Sequence, residues 1–286
     1  MGIKVISCFD GISCGMVALE RAGIKVDRYV AYEIDKNAIK ISKHNYPNIE
    51  HMGDVTTADF TQYKDFDLLI GGSPCQDLCG MGSRKGLTGE KSGLFYEYIR
   101  ALKEVTPKWF LLENNASMTS TNKEKITEII GVNPVMINSA DFSAQNRKRL
   151  YWTNIPIKNW DVKNVSIKDI IDNYAERDDV TEKIQKYVFS GEYGGRKIEK
   201  TTKNSIRNIN QKSRTIGTSA YDISSNTGIC LMINGKYYKP TRNEFERLQT
   251  LPDNYTISVP IKKAVFAIGN GWTVDVIAHI LKNMEV

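Results

Sequence analysis

At 286 residues, 41% hydrophobic and 25% charged, the chain is large enough to bury one sizeable core, or one core and a smaller appended domain. No apolar run approaches the roughly 18 residues of a bilayer span, and the N-terminus lacks signal-peptide anatomy, so no membrane partner and a cytoplasmic location are expected. The net charge of +6 comes from 39 basic and 33 acidic residues. It is concentrated, because residues 183–214 hold nine basic side chains against Glu192 and Glu199. Such a stretch reads either as a polyanion footprint or as a solvated surface segment. Five cysteines, an odd number without the usual C-x2-C spacing, argue against a disulfide framework and against structural zinc; no metal is expected.

In chain order, residues 3–9 form a short apolar run followed by a Gly-containing turn and a helical stretch at 16–22. A second strand is expected at 29–34 and a helix at 36–45, ending before Pro47. Further strands are expected at 66–72, 109–113 and 135–138, with a helix at 94–105. Repeated strand–helix units of this kind predict an α/β fold with a mainly parallel sheet covered on both faces. After about Asn154 the pattern breaks into short pieces, including strand-like runs at 186–189 and 228–233, before helical periodicity returns at Val274, Ile277, Ala278, Leu281 and Met284. The expected organisation is a catalytic domain at 1–155, a small irregular domain at 156–260, and a return segment at 261–286 that completes the first domain.

Asp10-Gly11-Ile12-Ser13-Cys14-Gly15 follows the first strand and opens the first helix, where backbone N–H groups can approach a ligand. Glu33 ends the second strand, where an acid can accept ribose hydroxyls, and Asp54 follows the third strand, where it could bind an exocyclic adenine amine. This spacing suits an adenosine-containing cofactor without naming one. Gly71-Gly72-Ser73-Pro74-Cys75-Gln76 lies directly after the fourth strand, unlike a core cysteine, and the Gly- and Ser-rich stretch after it is long for a connection, as lids are. Glu113 closes the fifth strand, and Gln145-Asn146-Arg147-Lys148-Arg149 sets two arginines at alternate positions, pointing the same way if extended.

Taken together, Ser73-Pro74-Cys75-Gln76, Glu113-Asn114-Asn115, Gln145-x-Arg147-x-Arg149 and Gly269-Asn270, in that order, resemble the cytosine-5 DNA methyltransferase family. Phe9-Asp10-Gly11 is similar to the family's first cofactor motif, and the stretch from Pro240 to Gln249 to the helix before its last motif. The type is bacterial or phage, with some likeness to the animal de novo enzymes in the first loop and in Gly269-Asn270-Gly271-Trp272-Thr273.

The resemblance implies a Rossmann-like, S-adenosylmethionine-dependent methyltransferase fold with a mixed, mainly parallel sheet and a smaller target-recognition domain. It implies S-adenosylmethionine held by Phe9, Asp10, Gly11, Ile12, Glu33, Ile34, Asp54, Val55, Pro74, Asn270 and Trp272. Cys75 is then the nucleophile toward a flipped cytosine, and Glu113 holds the N3 edge, a role that calls for a raised carboxyl pKa. Arg147 is the candidate to lower the thiol pKa, and Arg149 binds the O2 side of the base or orients Glu113. Double-stranded DNA would meet the loop at 76–93 and the basic segment at 183–214. The same chemistry on transfer RNA, a non-catalytic DNA-binding relative, and an unrelated α/β enzyme with a reactive cysteine are the competing readings.

Overall fold

Seven strands run side by side in the order β3-β2-β1-β4-β5-β7-β6. The structure is a computed structural model and describes residues 2–74, 92–172, 176–185, 192–193, 196–197, 206–225 and 227–285. The described chain divides into two compact units, one of 1–138, 148–161 and 274–286, the other of 139–147 and 162–273.

The first unit carries the large sheet. Strands β1 (Ile3–Cys8), β2 (Val26–Tyr32), β3 (Glu50–Gly53), β4 (Leu68–Gly71) and β5 (Trp109–Asn115) are mutually parallel. Strand β7 (Lys148–Thr153) runs antiparallel between β5 and the edge strand β6 (Val135–Asn138). The central strands β1 and β4 are buried along nearly their whole length, in keeping with sequences that are apolar except for Lys4 and Ser7 of β1. Helices α1 (Cys14–Ala22), α2 (Lys36–Asn45), α3 (Phe95–Val105), α4 (Ser120–Ile130) and α8 (Val274–Leu281) belong to this unit. Asp35 caps α2 by accepting the N–H groups of Asn37 and Ala38, each at 2.8 Å, and the helix stops before Pro47. The C-terminal helix α8 packs on α1, tied by an Arg21–Asp275 ion pair at 2.6 Å. Phe60, Tyr63, Phe66, Phe95, Tyr98 and Trp152 supply the aromatic mass of the main core.

The second unit is built from short pieces: α5 (Thr181–Ile184), the β8 (Glu192–Tyr193)–β9 (Arg196–Lys197) ribbon, and a sheet of β10 (Ile206–Asn208), β11 (Cys230–Ile233) and β12 (Lys236–Tyr238). Helices α6 (Arg242–Leu248) and α7 (Ile261–Asn270) complete it. Its boundaries differ from those read off the sequence, because 139–147 and 261–273 group with the small unit. For 139–147 the reason is hydrogen bonding: Asn146 N donates to Ser213 O at 2.8 Å, and Ser213 N donates to Ala144 O at 2.7 Å. The expected strand at 186–189 lies outside the described residues.

By composition, Ile261–Leu281 is long and apolar enough to cross a membrane, which the sequence reading overlooked. It is interrupted at 271–273 into α7 and α8, and 78% of its most apolar window is buried in protein, as in core helices.

Thr241 and Glu244 form a reciprocal capping box at the start of α6. Glu244 is only 2% exposed and receives Arg177 Nη1 at 2.8 Å, Arg177 Nη2 at 2.5 Å and Asp172 N at 2.9 Å. Removing one partner of so buried a pair leaves a charge without compensation. Arg177→Ala is expected to destabilise the protein by about 3 kcal/mol, measured as a lowered denaturant midpoint; an unchanged midpoint would contradict a structural role for the pair.

Candidate active site

The order of the sheet reverses at β1, whose neighbours are β2 on one side and β4 on the other. In a doubly wound sheet such a switch point opens a crevice outside the carboxyl ends of the strands. Register then fixes what lines it. Cys8 pairs with Tyr32 and with Gly71, Tyr32 pairs with Gly53, and Gly71 pairs with Leu112. The residues one step further on, Asp54, Glu33, Phe9, Gly72 and Glu113, therefore emerge side by side along one edge. Three strand spacings from β3 to β4 span about 14 Å.

The loop after β1 is unusual in its backbone. Phe9, Gly11 and Ser13 all have positive φ, at 60°, 62° and 59°. Gly11 adopts this without penalty and has open space where a side chain would stand. Phe9 and Ser13 each cost roughly 1 kcal/mol there, so contacts elsewhere must hold the loop. Glu33 supplies some of them: Oε2 accepts Gly11 N, and Oε1 accepts Ile34 N and Asp35 N, each at 2.8 Å. Burial pushes the Glu33 carboxyl up, opposed by these N–H donors. Asp10 turns inward, its Oδ1 accepting Tyr29 Oη at 2.7 Å and its Oδ2 accepting Ser13 Oγ at 2.6 Å. Burial raises its carboxyl as well, against hydrogen bonds from Ser13, Ser7 and Tyr29.

Around this loop, Ile12 and Val55 are buried, Phe9 is half-buried against the core, and Ile34 stands 70% exposed. Asp54 is exposed and holds Thr56 N and Thr56 Oγ1 through Oδ1, both at 2.9 Å. A side chain at Gly71 would meet the Tyr98 ring at 2.8 Å, so only glycine lets β4 end against α3. Beyond it, buried Asn114 donates from Nδ2 to both the carbonyl and the hydroxyl of Ser73 at 3.2 Å. That clamp fixes the chain two residues before Cys75; Pro74 is half-buried. Cys75 itself and most of the 76–93 loop lie outside the described residues.

Glu113 pairs with Tyr151 and Asn115 with Arg149 across β5 and β7, so Glu113 and Arg149 are diagonal neighbours on one face. Arg149 Nε lies 2.7 Å from Glu113 Oε1, with both side chains almost buried. Arg147 precedes β7. It lies in the second unit, 3% exposed, donating to the carbonyls of Ile216 and Gly269 at 3.1 Å and of Gly271 at 2.9 Å. The strand begins at Lys148, directly after Arg147, and Arg149 is its second residue.

Three buried polar side chains of the second unit, Gln145, Gln249 and Thr273, hold the backbone around Gly271, a role the sequence reading did not give them. Gln145 Nε2 donates to Leu248 O and Gln249 Oε1, both at 3.0 Å, while Gln145 Oε1 accepts Ile216 N at 2.8 Å. Gln249 Nε2 donates to Ile268 O at 3.0 Å and Gly271 O at 3.1 Å, and Thr273 Oγ1 donates to Gln249 Oε1 at 2.6 Å. These bonds hold the segment bearing exposed Asn270 and buried Trp272. Glutamines inside motifs otherwise read for their charges were the available signal.

Of the basic segment, Lys212 is turned inward, donating to the carbonyls of Val165 at 2.6 Å, Ala140 at 2.7 Å and Ser143 at 3.0 Å. Burial lowers the Arg214 pKa, and Arg207 nearby lowers it further. Lys186, Lys200 and Lys203 lie outside the described residues. Among the described residues, no group of three or more His, Cys, Asp or Glu side chains is arranged to hold a metal ion.

The orphan methyltransferase M.SPRI of Bacillus phage SPR is 33% identical over 192 residues, 61% of this chain and 44% of that protein. The type II methyltransferase M.NlaX of Neisseria lactamica is 28% identical over 321 residues, covering 99% of this chain and 96% of its own length. The chain spans less than half the length of the first curated relatives it matches. The solved structure of Entamoeba histolytica methyltransferase EhMeth has the same fold, with a TM-score of 0.79 at 18% identity, covering 99% of this chain and 98% of that one. The family model for C-5 cytosine-specific DNA methylase matches residues 3–286, and the chain belongs to that family.

Proposed function

We propose that this chain transfers a methyl group from S-adenosylmethionine to C5 of a cytosine in double-stranded DNA, in the cytoplasm of a bacterium, through a transient bond between Cys75 and the base. The observation that carries the reading is the strand-end register, which lines up an acid after β2, an acid after β3, the Ser73–Pro74 approach to Cys75 and Glu113 on one edge.

The donor set fits the cofactor. Each carboxylate oxygen offers two acceptor positions, and Glu33 Oε2 takes one backbone N–H, so it can receive a ribose hydroxyl. Exposed Asp54 suits the amine of adenine, and exposed Ile34, with Phe9, Ile12, Val55 and Pro74, supplies apolar surface. Asn270 and Trp272 complete the proposed cofactor set. When bound, the cofactor supplies an electrophilic methyl group.

Cytosine C5 is a poor nucleophile until a thiolate adds to C6. In the proposed sequence, the thiolate of Cys75 bonds to C6 and the ring electron pair shifts toward C5, while Glu113, fixed by Arg149, holds the N3 edge. C5 takes the methyl group, its own proton departs to a base, and the C6–S bond breaks to return the thiolate. Arg147 contributes by holding the Gly269–Gly271 segment. The target must leave the stack first, at a cost of roughly a few kcal/mol. Arg207 and Arg214, whose charges oppose one another, support contact with phosphate, which would relieve that repulsion. The 76–93 loop and the 183–214 segment are the proposed DNA-contacting regions.

Cys75→Ser is expected to abolish methylation while leaving cofactor binding within about two-fold of wild type, read by base-resolution mapping of 5-methylcytosine and by calorimetry; retained methylation would remove Cys75 from its role. Glu33→Ala should weaken S-adenosylhomocysteine binding by about ten-fold or more and DNA binding far less, and equal losses would contradict the ribose assignment. Arg207→Gln should make the log–log salt dependence of DNA binding shallower by about one unit; an unaltered slope would move the DNA away from this region.

A further inference from the structure

A line of hydrogen bonds runs beneath the cofactor loop and ends on the inward-facing carboxyl of Asp10. Asp10 Oδ2 meets Ser13 Oγ at 2.6 Å, Ser13 Oγ meets Ser42 Oγ at 2.6 Å, and Ser42 Oγ meets His51 Nε2 at 3.1 Å. Ser13 and Ser42 are fully buried. The four residues come from the loop after β1, from α2 and from β3, all within the first unit.

Chemistry fixes the direction of this line. A carboxylate only accepts, so the single Ser13 hydroxyl proton goes to Asp10. Ser13 Oγ must then accept from Ser42, whose own proton is thereby committed, and Ser42 Oγ must accept from His51. That requires the imidazole proton on Nε2. The other ring nitrogen agrees: His51 Nδ1 is buried and has no hydrogen-bond partner. An empty acceptor there costs less than a stranded N–H, so the Nε2–H tautomer is the one the site accommodates. Burial, and then the Lys43 charge, lower the imidazole pKa from its ordinary value, with Glu33 opposing.

We propose that His51, Ser42 and Ser13 are positioning residues, a one-directional hydrogen-bond relay ending on Asp10 that holds the cofactor loop in its binding conformation and so sets cofactor affinity. The loop needs such support, because Phe9 and Ser13 sit at positive φ without being glycine. Ser13 is the point where the relay and that backbone conformation meet. Losing a donor anywhere along the line leaves a buried acceptor unsatisfied and the next hydroxyl free to rotate. Asp10 would then lose the bond that closes the loop on itself. The inference rests on the reading of this loop as the S-adenosylmethionine site.

The test is calorimetric binding of S-adenosylhomocysteine to the full chain, with steady-state methylation beside it. Ser42→Ala and His51→Ala should each weaken binding roughly five- to twenty-fold and raise KM for the cofactor equally, with kcat at saturating cofactor and KM for DNA unchanged. His51→Gln, whose side-chain amide can donate near the Nε2 position, should recover affinity to within about three-fold of wild type. Ser42→Ala combined with His51→Ala should be no worse than the weaker-binding single variant, because both break one line. Unchanged affinity in soluble, folded Ser42→Ala and His51→Ala would overturn the relay alone, as would fully multiplicative losses in the double variant or no recovery by glutamine. Absence of S-adenosylhomocysteine binding by the wild-type chain would overturn the cofactor reading and the relay with it.

Discussion

Everything at the candidate site follows from five parallel strands ending at the same height. A parallel sheet buried on both faces has little freedom in register, since a one-residue slip would turn every core side chain to the opposite face. Here the ends of β3, β2, β1, β4 and β5 are locked by Gly53–Tyr32–Cys8–Gly71–Leu112 pairing. Chain segments far apart in sequence therefore meet at one edge, and the polar residues that follow each strand have nowhere else to go. The interior that enforces this is aromatic and close-packed, with Tyr98 and Trp152 among its largest fully buried members.

Much of this edge could be read from the sequence because its signals are local. The apolar runs of β1, β4 and β5, and the helices over 36–45 and 95–105, show their periods plainly. Less of the remainder was legible. Helix α4 buries only Asn122 and Ile126, so its apolar face is too narrow to stand out. Strand β7 was hidden because its first residues, Lys148 and Arg149, read as a charge cluster and not as half of an antiparallel pair. Its pairing with β5 and β6 depends on partners distant in sequence, which a single-sequence pattern does not reveal. The small unit is harder still. Its sheet strands have three or four residues each, and its order comes from side chains satisfying backbone groups.

The candidate site residues divide in the same way. Residue type and position after a strand identified Glu33, Asp54 and Glu113 as edge acids. What sequence could not give was the direction each side chain takes. Asp10 sits in the loop as expected, yet its carboxyl faces inward toward Tyr29 and Ser13. Arg147 and Arg149, two residues apart, serve different units: one is spent on three carbonyls, the other on a carboxylate. A guanidinium with five donors in a rigid fork suits either task, so residue type alone does not select the partner.

The burial of three thiols has a practical corollary. Cys8, Cys14 and Cys230 are buried and form no disulfide, and burial pushes the Cys8 thiol far up and that of Cys230 to about 12. Thiolates are the reactive form toward mild electrophiles, so Cys8 and Cys230 stay silent toward alkylating reagents while the protein is folded. Modification detected by mass spectrometry under native conditions would then report on the other cysteines without mutating Cys8 and Cys230.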